Sequence, residues 1–513
     1  MKKIFNYIFS LALGITLLTS CDLETIPTTS VDAGSAFSTT ENADKVLNGS
    51  WAYLMETFNS YANPGYAAML GSNDMMGSDA VWKTKTYGYG SQYAFTGIYG
   101  KGGANSLSWS LIYKVVNNCN GVIAYVDQAV GKEEDRNRIK GQAYALRGFM
   151  YLHLASCYSF AIDKDPNAVC GPIYLKPSDG STEGEPASSV SEVYQQSIND
   201  FKDALRLIPE NYKRSSKHKI DHQVVLGLLS RSCLYARKWD EAKKYSDDLL
   251  ALNNYLMTEE EYKSGFSNVA NKEWIWGHPQ TVDQSNASYH FYYMDTTSGV
   301  EGYNAFFADP YFRDLFDDGD YRKGMMYWAP VVGVPPVENG FLWMNYAKFQ
   351  FRDKSTELAD IVLMRVSEIY LINAEAKARL NDPDGVNKLN DLKDARDAKL
   401  AETTLSGQAL LDAIWLERRK ELWGEGFSLV DIIRNQQKVV RKEYPTALID
   451  YTYTDKNNKP ATVKMSPQGH YVRVDPDSKE FTANSKYYLY RITNGEELAN
   501  PVLYSKYPKL SIY

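Results

Sequence analysis

Small and apolar residues recur at helical spacing in consecutive segments, and this periodicity limits the chain more than any other feature. Between 137 and 160, Ile139, Ala143, Leu146, Met150, Leu154 and Cys157 share one helical face. Between 190 and 208, Val193, Ile198, Phe201, Leu205 and Ile208 repeat the pattern, with Ser191-Glu192 at the start and Pro209 at the end. A second pair is read over 223–237 and 239–252, where Leu226, Leu229, Ser230 and Cys233 are set to face Ala242, Ser246 and Leu249. A third pair is read over 361–380 and 384–400. A helix with one apolar stripe must bury it, and the next hairpin is its nearest partner. The spacing therefore predicts a mainly α fold of stacked helix pairs.

Set against the tetratricopeptide pattern, Tyr144, Gly148 and Tyr151 fall at the aromatic and small positions of a first helix. Ser197, Phe201, Ala204 and Pro209 fall at those of a second, after an insertion over 159–189. Two stretches break the helical rhythm. Residues 61–110 are rich in glycine, and 265–350 mix short apolar runs with Gly, Pro and Asn. Both are long for plain connections in a packed body, which marks them for function. Over 444–490, Tyr, Val and Thr alternate around a Lys456-Asn457-Asn458-Lys459-Pro460 turn, which predicts one or two short hairpins.

Lys2 and Lys3 precede an apolar run over 4–18 that is too short and too broken by Asn6, Tyr7, Ser10, Gly14 and Thr16 to span a membrane comfortably. It ends in Leu18-Thr19-Ser20-Cys21, the pattern of a bacterial lipobox. The expectation is a signal peptide over 1–20, a lipidated Cys21 and a Thr-, Ser- and Pro-rich tether to residue 38. No later stretch holds eighteen consecutive apolar residues. A net charge of −7 argues against nucleic acid as a partner. Cys119, Cys157, Cys170 and Cys233 lack CxxC spacing, so neither a zinc site nor a redox motif is read, and a Cys157–Cys170 bridge stays open.

The chain has 39 Tyr and 10 Trp, and many fall in the Gly-, Ser- and Asn-rich stretches rather than in periodic ones. Aromatic residues in helices mean core, as expected for Trp51 and Trp109. In loops they ask for another role, often a binding surface, against the plainer reading that each packs beneath its own loop.

Several motifs then fall in order along the chain. Leu363-Met364-Arg365-Val366-Ser367-Glu368-Ile369 runs into Ala374-Glu375-Ala376; Glu417-Arg418-Arg419-Lys420-Glu421-Leu422 is followed by Asp431-Ile432-Ile433-Arg434. Upstream stand Ala145-Leu146-Arg147-Gly148-Phe149, Gly171-Pro172-Ile173 and Asp320-Tyr321-Arg322; Asn500-Pro501 closes the set, with Thr493 where a Pro is usual. The ordered set resembles the SusD/RagB family of surface glycan-binding lipoproteins. The resemblance implies four tetratricopeptide-like helix pairs carrying a large irregular ligand-binding half and a few short β-hairpins. It divides the body into an N-terminal region over 39–260 and a C-terminal one over 261–513, with helices over 359–437. It also implies a glycan cargo, a SusC-like TonB-dependent outer-membrane transporter as partner, and a lipid-anchored place on the outer membrane facing the exterior. Asp22 and Glu24 beside Cys21 resemble the surface-export signal of lipoproteins from Bacteroidetes-type bacteria.

A sugar ring has apolar faces and a hydroxyl rim, so aromatic planes and polar side chains gathered in one arc suit it. The expected ligand-binding residues are Asp79, Trp82, Tyr87, Tyr89 and Tyr93 in a first cluster, Trp274, Trp276, Tyr289 and Tyr292 in a second, and Trp328 in a third. These clusters do not separate a sugar cargo from a peptide. A glycosidase is the weaker alternative. Glu417 and Glu421 are one turn apart, but they share a helix with Arg418, Arg419 and Lys420, which reads as an ion-pair network. His218 and His222 lack the glutamate of a zinc protease, and Asp382-Pro383-Asp384-Gly385 reads as a helix–helix turn rather than a calcium loop. No catalytic residue, cofactor or metal ligand is assigned.

Overall fold

The computed structural model describes residues 33–510 except 61, 62, 85 and 180; Cys21, the signal peptide and the tether up to residue 32 lie outside the described residues. Among those described, no helix is long and apolar enough to cross a membrane.

Among the described residues, eleven helices of seven or more residues form the frame. They are α1 (Thr40–Glu56), α2 (Gly65–Met75), α3 (Gly103–Tyr125), α4 (Glu133–Cys157), α5 (Val190–Leu207), α6 (His222–Tyr235), α7 (Trp239–Leu252), α8 (Val366–Arg379), α9 (Asp384–Asp394), α10 (Gly407–Glu421) and α11 (Ser428–Arg434). Helix α1 packs along α3, α4 along α5, α6 along α7 and α8 along α9, a stack of four pairs. Local chemistry explains several ends. Ser189 and Glu192 form a reciprocal capping box that starts α5, two residues before the Ser191 signal. Asp221 caps α6 through the Val224 amide at 3.0 Å. Gly148 lets α4 approach α5 closely, since a Cβ there would lie 2.9 Å from the Phe201 ring.

The third predicted pair is shorter than its periodicity suggests. Residues 361–365 are not helical but form strand β8 (Ile361–Arg365), antiparallel to β4 (Trp274–His278). All five residues of β8 are buried, and a short apolar run buried all round carries no period that separates strand from helix. Helix α9 stops at Asp394, and Arg396 just beyond turns into a buried ion-pair lattice.

Sheets are small. Strand β1 (Ala80–Trp82) pairs antiparallel with β5 (Phe306–Ala308), placing Ala80 opposite Ala308. Strands β6 (Met326–Ala329), β7 (Phe341–Tyr346), β10 (Pro460–Pro467) and β9 (Ile449–Thr454) make a four-stranded sheet in the order β6-β7-β10-β9. Its β9–β10 hairpin matches the expected turn at 456–460. The four cysteines beyond Cys21 are free and buried, so Cys157 and Cys170 are not bridged. Among the described residues the main hydrophobic core runs from Ala43 to Leu503, beside a small cluster of Val81, Phe307 and Trp343.

Glu417 and Glu421 lie inside that core. The Glu421 carboxylate meets Arg322 and Arg365 at 2.5 Å and Arg396 at 2.9 Å; Glu417 meets Arg322 at 2.7 Å. Burial alone would raise Glu421, but Arg396, Arg365 and Arg322 hold it well below the usual carboxylate range. These carboxylates hold the chain together and touch no open space.

Candidate ligand-binding cleft

A cleft of about 550 Å³ opens where α10 and α11 meet the ends of the β1–β5 ribbon. Asp79, just before β1, and Asp309, just after β5, stand side by side at its wall, joined by the Asp309 amide donating to the Asp79 carbonyl at 3.0 Å. Arg419 on α10 grips both Asp79 oxygens, at 2.6 and 3.0 Å, a two-pronged geometry only a guanidinium provides. Trp423 Nε1 donates to the Asp79 carbonyl at 2.9 Å. Asp74, at the end of α2, accepts the Gly426 and Ser428 amides at 2.7 and 3.1 Å, and burial pushes it up to about 7 in spite of them. Asp309 is also pushed up to about 7, first by burial and then by Asp79.

An aromatic row leads out of this cleft. Tyr311 lines the cleft and follows Asp309 by two residues. Its ring centroid lies 5.3 Å from Tyr444, and Tyr444 lies 5.4 Å from Trp328 on β6. All three rings are half-buried. Lys442 stands over Tyr311 at 5.6 Å. The row offers apolar planes beside carboxylates and a lysine, the mixture expected of a sugar site.

A second aromatic face begins at the other end of the ribbon. Tyr87 is 55% exposed and packs 6.0 Å from Tyr303, which stacks on Tyr293 at 4.6 Å. Tyr289 sits between Phe58 at 4.9 Å and Tyr292 at 5.3 Å, and the Tyr292 hydroxyl donates to Glu357. Lys83 ties this end to the ribbon by donating to the Tyr303 carbonyl at 2.7 Å.

Five of the ten expected ligand residues are core instead. Trp82, Tyr89, Tyr93, Trp274 and Trp276 are at most 2% exposed. Trp82 packs edge-on to Tyr89 and against Tyr293. Trp276 lies against Phe149 and Trp51 and donates its Nε1 hydrogen to the His218 carbonyl at 2.9 Å. Trp274 shares that buried strand, β4. Tyr93 gives its hydroxyl to His470 at 2.7 Å under the Arg441 guanidinium, 4.1 Å from the ring. The glycines explain the difference. A Cβ at Gly88, whose φ is +130°, would lie 2.7 Å from Tyr293 and 3.0 Å from Trp82, and one at Gly71 would lie 2.7 Å from His290. These glycines admit rings to the core rather than loosening a loop. Asp79, Tyr87, Tyr289, Tyr292 and Trp328 do reach the cleft or the surface. Asp309, Tyr311, Tyr444 and Lys442 were missed; the adjoining Pro310 and Pro445, marking turns that present side chains, were the available signal.

A crystal structure of a SusD-like carbohydrate binding protein from Bacteroides vulgatus superposes with a TM-score of 0.91 at 65% sequence identity, covering 93% of this chain and 100% of that one. The chain belongs to the SusD family. Residues 338–509 match the model of the SusD family, and residues 29–234 match one described as starch-binding associating with outer membrane. The fold recurs in a putative sugar binding protein from Bacteroides vulgatus, with TM-score 0.73 at 23% identity over 91% of this chain and 98% of that one. It recurs also in a SusD superfamily protein from Bacteroides thetaiotaomicron, with TM-score 0.73 at 21% identity over 91% and 99%. No curated protein matches. The SusD frame thus holds both the cleft and the two aromatic faces.

Proposed function

We propose that this SusD-family protein binds an oligosaccharide in the cleft and along the Tyr311–Tyr444–Trp328 row, without cleaving it, and delivers it to a SusC-like TonB-dependent transporter in the outer membrane. The row of half-buried rings running into a carboxylate-lined cleft carries this reading. The carbohydrate-binding description of the 65%-identical relative supports it. Glu417 and Glu421, the pair a glycosidase reading would use, are held in the core by Arg322.

The second face, with Tyr87, Tyr289 and Tyr292, serves a longer chain as an outer contact. Residues 303–309 link it to the cleft, a reach of at most roughly 20 Å at ~3.3 Å per strand residue. Lipid on Cys21 would hold the protein at the exterior face of the outer membrane.

Calorimetry against a panel of host, plant and microbial glycans tests the cargo. Binding to at least one member, weakened by Tyr311→Ala, is expected; silence across the panel would overturn the reading. Delivery is tested by co-purification with an outer-membrane barrel, and the anchor by loss of fatty-acid labelling in Cys21→Ser.

A further inference from the structure

The described body begins beside an apolar tip. Phe37, three residues before α1, lays its ring 5.4 Å from Tyr125 at the end of α3. Gly121, one turn back on α3, makes room for it, since a Cβ there would lie 3.2 Å from the Phe37 ring. Val130, in the connection from α3 to α4, is clamped to the same segment. Its amide donates to the Ser38 carbonyl at 2.9 Å, and its carbonyl accepts from the Thr40 amide at 3.0 Å. Arg136 closes the connection from the α4 side by donating to the Gly131 carbonyl at 2.6 Å. The turn is held firmly, yet it leaves Val130 75% exposed and Tyr125 37% exposed. Leu175, also exposed, is kept at the flank of α3 by Asn120, which donates to the Tyr174 and Lys176 carbonyls at 3.0 and 2.9 Å.

Apolar side chains gathered on one held turn, rather than scattered, mark a contact. Their place on the chain says with what. Residues 22–32 separate Cys21 from the start of the described body, a reach of at most roughly 40 Å at ~3.5 Å per residue. Ser38 and Thr40, which clamp Val130, follow within a few positions. Of the exposed apolar groups, those fixed to residues 37–40 therefore have the shortest covalent path to the bilayer. Once lipid holds the chain there, a second contact is intramolecular, so a small apolar area suffices. Charge adds little, because the exposed Lys132 and Lys176 beside the tip are balanced by the exposed Glu133 and Glu134.

We propose that this tip is a second membrane contact: Val130, with Tyr125 and Phe37 beside it, rests in the lipid surface next to the anchor and fixes which way the body faces. This rests on the lipidation of Cys21 proposed above. A valine takes the apolar side of the interface, and a tyrosine suits its boundary, with the ring inward and the hydroxyl toward water. A single point of attachment lets a body turn about it; two points leave one face toward the bilayer. The backbone clamps on Val130 matter here, because a turn that is already ordered loses little freedom when it meets the surface.

The full lipidated chain in phosphatidylcholine vesicles, diluted so that most vesicles hold one copy, tests this. Cys119, Cys157, Cys170 and Cys233 are buried, and Cys21 would carry lipid, so Val130→Cys can be labelled singly with an environment-sensitive dye. The comparison site is Val282→Cys, 70% exposed beyond the far end of α1, where Gln280 donates to Glu56. Spin-labelled lipid should quench the dye at 130 about threefold more strongly than the dye at 282. Tyr125→Asp should remove most of the difference, and added salt should leave it unchanged. Equal quenching at the two sites overturns the inference, as does a difference seen only at high protein density, which would make the partner a second copy. Should Val130→Cys misfold, Lys132→Cys carries the dye in its place and is judged the same way. If mass spectrometry finds no acyl group on Cys21, the anchor and this inference fall together. If the acyl group is there and quenching is equal, this inference fails and the anchor stands.

Discussion

The lattice around Glu421 and the cleft around Asp309 are built from the same materials, buried carboxylates beside arginines on or near α10, yet they differ in completeness. Each Glu421 oxygen meets at least one guanidinium, and the groups around it are sealed from solvent. Asp309 lines an open cleft and meets no guanidinium or ammonium in an ion pair among the described residues. Saturated counter-charges make a structural clamp; a carboxylate without one at the wall of a cleft does not. The two regions also respond to acid with opposite signs. Glu421 is depressed in the folded chain, so its stabilisation is present above the ordinary carboxylate range and is lost as pH falls through the lower folded value. Asp309 is raised to about 7, so the folded state keeps a proton that the unfolded chain releases near pH 4, and stability declines as pH rises from ~4 to ~7.

The largest effect should come from breaking the clamp. Glu421→Gln leaves Arg322, Arg365 and Arg396 short of a buried counter-charge and should cost about 3–5 kcal/mol in denaturant unfolding. If it unfolds with the native chain, the lattice is dispensable and the contrast fails. Tyr311→Ala and Trp328→Ala should each weaken oligosaccharide binding about tenfold (~1.4 kcal/mol) with little change in melting temperature. A large loss of stability in either would mean that the row is core. Asp309→Asn should raise the melting temperature at pH 8 and leave it unchanged near pH 4, a gain bought in the cleft and absent from the lattice. An equal gain at both values would remove the ionisation argument. The smallest change is expected of Tyr87→Ala, a few-fold loss seen for long oligosaccharides and not for short ones; equal losses for both would make the second face part of the primary site.

Much of the frame could be read before any coordinates. The residues 137–160 and 190–208 patterns anticipated α4 and α5 within a few positions, because a helix is specified by neighbours three and four residues away. That Glu417 and Glu421 belong to an ion-pair network was legible, but most of its partners were not: Lys420 of the same helix meets Glu417, while Arg418 and Arg419 turn to Asp431 and Asp79, and Arg322, Arg365 and Arg396 come from other segments. The aromatic clusters were legible as clusters but not as surfaces. Trp82 and Tyr87 belong to one loop-rich stretch, and one is buried while the other is 55% exposed.

What the sequence determined by itself is therefore the stack of helix pairs and the turn at 456–460, products of short-range spacing. Only the tertiary structure decided which rings are buried and which stay at the surface. Tyr93 is claimed by His470, 377 positions away, and Asp79 by Arg419, 340 positions away. Whether a ring or carboxylate ends satisfied or waiting depends on such distant neighbours, and no local period carries that information.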